Sequence, residues 1–243
     1  MRRMLLLSCL LGAGPAWAGS AAMESPAAPA AIAAAQIAQA QISQAQIAQA
    51  WLAEYRVHDA QGDRTLVLVR GDDRVEYRLA REPVRVWEKV ADGLVHREVF
   101  LDAGRVVSYA PGDLRALGRT PGWPQLSHLV DPDLRAQLGE RGVAKVRAAH
   151  DAQATRYRGK AHGVPVELDW LDAADLPATY RSGQGKTLFA VELRSLRQVP
   201  VAQAFTVTEG LREIDYADIG DMELDPFARQ YIREGAGHAD TGH

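Results

Sequence analysis

The residues best suited to chemistry are the acids Glu213, Asp215, Asp218, Asp221, Glu223 and Asp225, crowded near the C-terminal end. Carboxylate oxygens suit a hard cation such as calcium. Their spacing does not fit an EF-hand loop, and Asp225 stands before Pro226, where a carboxylate caps a helix. The cluster therefore reads as solvated surface. Gly183-Gln184-Gly185-Lys186-Thr187 imitates the end of a phosphate-binding loop. That motif needs a glycine five residues before Gly185, where Tyr180 stands, and a helix after Thr187, where a strand is expected. The stretch reads as a hairpin turn.

The seven histidines are dispersed. His150 adjoins Asp151 at a turn, while His238 and His243 lie near the C-terminus and make a poor metal pair. No Gly-x-Ser-x-Gly, His-Glu-x-x-His or Ser-x-x-Lys pattern occurs. The chain is read as a non-enzyme, with no catalytic residue, no metal ligand and no cofactor.

Cys9 is the only cysteine, and it falls within an apparent export signal. Arg2 and Arg3 form a positive region, Met4 to Leu11 an apolar one, and Ala16-Trp17-Ala18 a cleavage site. Leu6-Leu7-Ser8-Cys9 also looks like a lipobox, but eight preceding residues leave almost no apolar region. The expectation is a cleaved signal at 1–18 and a periplasmic, disulfide-free protein. No stretch is apolar for long enough to span a bilayer. Formal charge is −3, and −5 without Arg2 and Arg3, which argues against a nucleic-acid partner.

These residues need elements to position them. Residues 19–50 read as an Ala/Pro/Gln-rich spacer with pentads such as Gln36-Ile37-Ala38-Gln39-Ala40. Isoleucines five apart walk around a helix and build no face. Order begins near Ile47, where Ile47, Trp51, Leu52 and Tyr55 fall on one helical stripe.

Period two follows. Thr65–Val69 is apolar on both faces, and Val75, Tyr77 and Leu79 alternate with Arg74, Glu76 and Arg78. Strands are also expected at Val84–Val90, Leu94–Leu101 and Arg105–Tyr109, with hairpin turns between them. The middle reads as helical or irregular, with Asp131-Pro132 starting a helix and Gly139 ending it. Strands return at Lys145–Ala149, Ala154–Arg158, Val164–Trp170, Ala178–Arg181, Thr187–Arg194 and Ala204–Thr208. Residues 211–234 form an acidic extension with a short helix capped by Asp225 and stopped by Gly235, and 235–243 a loose tail.

Three stretches resemble the periplasmic lipoprotein-carrier family of LolA/LolB type: Tyr77 to Trp87, Asp102 to Leu114, and Leu168-Asp169-Trp170 with Leu176-Pro177 and Val191-Glu192-Leu193. Ala110 departs from the family's acidic residue. The resemblance covers about Arg64 to Thr208 and implies, for a domain at 51–210, a mainly β (α+β) fold: an incomplete, strongly curved antiparallel barrel with covering helices. It implies a cavity for acyl chains, with candidate lining residues Tyr77, Leu79, Arg85, Trp87, Tyr109, Trp170 and Phe189. Arg85 maps onto the family's strand arginine that bonds to a lid. The C-terminal extension could plug the open side. The expected function is a carrier for a lipid, an acyl chain or a lipoprotein. The alternative is a protein-interaction module on the same fold, an envelope sensor or assembly factor without a lipid ligand.

Overall fold

The computed structural model describes residues 48–238. The signal, the linker and all but the last residues of the pentads lie outside the described residues. The fold is one strongly curled sheet of twelve strands that does not close into a barrel, as the alternation and the resemblance led us to expect. In chain order these are β1 (Gln49–Asp59), β2 (Gly62–Arg70), β3 (Arg74–Leu79), β4 (Val84–Val90), β5 (Gly93–Phe100) and β6 (Arg105–Tyr109), then β7 (Gly139–Val146), β8 (Ala152–Ala161), β9 (Val164–Leu171), β10 (Leu176–Ser182), β11 (Phe189–Pro200) and β12 (Arg212–Asp215). The helices are α1 (Pro111–Ala116), α2 (Trp123–His128), α3 (Leu134–Gln137), α4 (Val201–Ala204) and α5 (Pro226–His238).

The strands lie in the order β12-β6-β5-β4-β3-β2-β1-β11-β10-β9-β8-β7. Every pairing is antiparallel except β12 with β6.

The first element corrects the expected helix. Residues from Gln49 onward form β1, which pairs with β2 on one side and β11 on the other. Ala53, Tyr55 and Val57 are buried on one face and Ala50 on the other. A central strand covered on both faces carries apolar residues at either parity, so a spacing of four and five can arise inside it. Further boundaries move, and the strand expected at Lys145–Ala149 ends at Val146, before a 3-10 turn at Arg147–Ala149. Helix α3 has four residues and β7 starts at Gly139; 204–208 ends α4 and then runs irregularly; α5 passes Gly235 and reaches His238. Asp225 does cap α5, its Oδ1 accepting from the Phe227 N–H at 2.8 Å.

The largest buried cluster joins Val75 of β3 to Ala154 of β8, although five strands lie between them. Only the inside of a curl brings such distant strands together. The outer face of β1–β6 is covered differently. After β11 the chain crosses behind the sheet as a strap over residues 201–211. Ala204 and Phe205 cover Val67 and Val69, and Leu211 covers Val84, Val86, Val99 and Val106. This crossing lets β12 lie parallel to β6. Glu76 anchors the strap. Its carboxylate is fully buried and accepts from Arg78 Nε and from both the N–H (3.0 Å) and the hydroxyl of Thr206.

Candidate functional site

The inner face is closed by α2. Gly122 and Pro124 start this helix, and Leu129 ends it with φ at +65°, a positive value that a leucine adopts only under constraint. Trp123, Leu126 and Leu129 rest on the inner cluster beside Trp51, Tyr77, Leu79 and Trp87. Lys89 lies over the Trp123 ring, 4.6 Å from its centre.

Polar bonds to the backbone hold this short lid down. The Tyr77 hydroxyl donates to the Leu126 carbonyl. Arg70, at the end of β2, donates to Ser127 O at 3.5 Å, to Asp175 O at 2.9 Å and to Ala174 O. One guanidinium thus ties the lid to the β9–β10 turn. Burial pulls the Arg70 pKa down, and the Asp175 carboxylate opposes that shift. A guanidinium keeps its charge through such a shift. Burial alone drives the Tyr77 hydroxyl well above its ordinary pKa, so it stays a donor.

His128, at the end of α2, makes the third tie. Its Nε2 lies 2.8 Å from Asp175 Oδ2, and Ser127 Oγ lies 2.9 Å from its Nδ1. Hydroxyl, imidazole and carboxylate in series are the parts of an acyl-transfer triad. The details argue against that use. Ser127 is 3% exposed, and its hydroxyl donates to Trp123 O at 2.8 Å. His128 Nδ1 lies 2.7 Å from Pro124 O. A carbonyl only accepts, so Nδ1 carries a proton and offers the serine no base. The series fastens the lid.

The expected cavity residues do not all meet. Tyr77, Leu79 and Trp87 share the inner cluster. Trp170 is fully buried under α3: its Nε1–H donates to Asp175 Oδ1 at 3.0 Å, and the Arg135 guanidinium lies over its ring at 4.4 Å. Phe189 is 40% exposed, and its ring stands edge to face with that of Tyr180 at 6.1 Å. Arg85 does not reach the lid. It pairs with Glu82 at 3.0 Å, across its own turn, and the arginine on the lid is Arg70. Arg70, Ser127, His128 and Asp175 escaped the sequence reading, since 105 positions separate Arg70 from Asp175. The one available signal was a cation, Arg70, closing a strand apolar on both faces.

Tyr109 belongs to a second site, under α5. Tyr231 of α5 hydrogen bonds with Tyr109 and donates to Glu98 Oε2 at 2.6 Å. His96 stacks on Trp87 at 4.1 Å, and its Nε2 lies 3.6 Å from Glu98. Burial opposes ionisation of Glu98, but hydrogen bonds from His96 and Tyr231, with the charges of His96 and Arg85, hold its pKa below the usual value of 4.5. Burial is also the main cause pushing the Tyr109 hydroxyl up to about 12. A depressed carboxyl pKa stabilises the fold above its unfolded value and ceases to do so as pH falls through its folded one. Acidification below about 4.5 is therefore expected to loosen α5, read as faster proteolysis within 226–234, and Glu98→Gln should remove that pH dependence. Equal acid sensitivity in both proteins would refute the assignment.

Two surface depressions flank these regions. One, of about 450 Å³, lies between α5 and the turns at 81–83 and 101–103, with Phe100 and Phe227 in its walls. The other, of about 370 Å³, lies beside the strap at Arg74 and Phe205.

Three of the six clustered acids have structural partners. Asp225 caps α5 and faces Arg105 and Arg212, Asp215 accepts from the Ala217 N–H, and Glu213 pairs with Arg97. Gly183 to Thr187 joins β10 to β11 through a 3-10 turn at Gly185–Thr187, so β11 starts at Phe189 rather than Thr187. Among the described residues no helix is long and apolar enough to cross a membrane.

No protein-family model matches the chain, nor does any curated protein. Among solved structures, the chain is similar to an uncharacterized conserved protein from Thermus thermophilus, at 11% identity and a TM-score of 0.43, over 75% of this chain and 99% of that one. It is similar to PNGF-II at 11% identity and a TM-score of 0.40, over 73% of this chain and 34% of that chain. It is also similar to a chain of the Pseudomonas aeruginosa MucA/MucB complex, at 12% identity and a TM-score of 0.39, over 72% of this chain and 62% of that chain. The chain thus spans about a third of PNGF-II and under two thirds of the Pseudomonas chain.

Proposed function

We propose that the protein is a non-enzymatic periplasmic binding protein that takes an acyl chain, free or on a lipid or lipoprotein, against the inner face beneath α2. The export signal read in the sequence supports the compartment. The observation that carries the ligand is the lid itself: a six-residue helix lays apolar side chains on the inner face and is tied down by Arg70, Tyr77 and His128. The lid side chains occupy the place the ligand would take, so binding requires the lid to lift.

Magnitudes set which ligands can do this. Uncovering each of three apolar lid side chains costs about 2 kcal/mol. Breaking each polar tie costs about 1 kcal/mol. A chain gains about 0.8 kcal/mol per methylene, so roughly a dozen methylenes are needed. Palmitate is expected to bind and hexanoate to fail. Arg70→Met, which keeps bulk and loses the donors, should tighten palmitate binding about tenfold by weakening the closed state. Tyr77→Phe should act in the same direction if Arg70→Met folds poorly. Native mass spectrometry on protein purified from the periplasm reads bound adducts directly. A clean mass that ignores added palmitate and phospholipid in all three proteins would sink the proposal.

One observation favours the second reading, a protein-interaction module on the same fold. The inner face is filled by the protein's own side chains, as in a domain that binds through its surface.

A further inference from the structure

We propose that β7 is a docking edge for an acidic, extended segment of a partner protein, which adds to the sheet as a further strand. Among the described residues β7 ends the sheet and pairs only with β8. One row of its backbone donors and acceptors therefore has no strand opposite it, and such rows template pairing with another chain. The strand is eight residues long and mostly exposed, with Val143 at 67%.

Charge selects the occupant. Residues 139–162, the β7–β8 hairpin, hold six cations, Arg141, Lys145, Arg147, Arg156, Arg158 and Lys160, and two acids, Glu140 and Asp151. The hairpin is thus +4 in a chain whose formal charge is −3. Arg156 and Arg158 are matched by Asp169 and Glu167 on β9. Arg141, Lys145, Arg147 and Lys160 have no ion-pair partner among the described residues. The same charges exclude a second copy. With Val143 opposite its own copy in an antiparallel pair, Arg141 would face Lys145, and like charges directly opposite are destabilising. The bulge between Glu140 and Gly142 further discourages self-pairing. An acidic strand does not meet the charge obstacle.

The probe is an acetylated, amidated octapeptide of alternating glutamate and valine, titrated onto the whole protein at low salt. Binding should protect the amides of residues 139–146 from exchange. The double variant Arg141→Glu, Lys145→Glu, whose changes sit on exposed side chains, should weaken binding about tenfold and gain affinity for the matching lysine–valine peptide. An N-methylated glutamate–valine peptide, which cannot pair along an edge, should not bind. Unchanged affinity in the variant, binding of the N-methylated peptide, or protection away from β7 would each overturn the proposal. So would preferential binding of phosphatidylglycerol vesicles without amide protection, which would reassign the edge to a membrane surface.

Discussion

Trp170→Ala is expected to lower stability by about 3–5 kcal/mol, among the largest effects of any single change in this chain. The indole is fully buried. Val130, Leu134 and Leu138 pack around it with Leu168, Arg135 lies over its face, and its N–H holds Asp175. Alanine would leave a cavity that this surround, drawn from different elements, can only partly collapse. For a folded unit of roughly 190 residues the melting temperature should fall by about 10 °C. Trp170→Phe keeps most of the volume and loses only the hydrogen bond, so about 1–2 kcal/mol is expected. Asp175 also holds His128, so Trp170→Phe should loosen the lid as well, read as faster amide exchange over 123–128. Urea denaturation of both variants decides the matter. Equal losses would mean that the hydrogen bond, not the packing, dominates.

Glu76→Ala is expected to cost about 3 kcal/mol. Glu76 lies on the outer face with no exposed surface, and its carboxylate serves Arg78, Thr206 and, at 3.7 Å, Arg74. Removing one member of a buried charge group strands the others. Arg74 and Arg78 can each turn partly to solvent, which keeps the cost at the low end of that range. Arg78 also keeps its bond to Ala204 O. The distinguishing consequence is local. With Thr206 released, Leu211 should leave the cluster of Val84, Val86, Val99 and Val106, and β12 should detach from β6. Limited proteolysis should then cut within 201–212 before global unfolding. Glu76→Gln, which keeps an acceptor for Thr206, should keep the strap protected. A Glu76→Ala protein that matches the parent in both stability and protease resistance would disprove the clamp.

Much of the sheet was legible because a strand declares itself locally. Val75, Tyr77 and Leu79 against Arg74, Glu76 and Arg78 put their parity in the sequence. The turns at Ala91-Asp92-Gly93 and Asp102-Ala103-Gly104 are short-range chemistry as well, and the strands they join pair as neighbours. Reading failed where apolar residues on both faces open a strand, as with Ala50, Trp51 and Leu52 of β1 before Ala53–His58 alternates, and where a segment's state depends on what it covers, as in the strap at 204–211. Glu76 shows both limits together. Its position facing away from Tyr77 was visible, but not its burial, which depends on a strap 130 residues later.

By itself the sequence determined the meander of β2–β6, the Asp225 cap of α5 and the absence of cysteine beyond Cys9, since these rest on neighbours a few residues apart. Only the tertiary structure decided which arginine holds the lid, which histidine and acid fasten it, and which strand is left as the edge. Each depends on distant segments brought together by the curl of the sheet. Arg70 and Arg85 look alike in the sequence, as strand cations beside apolar residues. Arg70 points inward, where buried carbonyls must find donors, while Arg85 has Glu82 within reach and pairs at the surface.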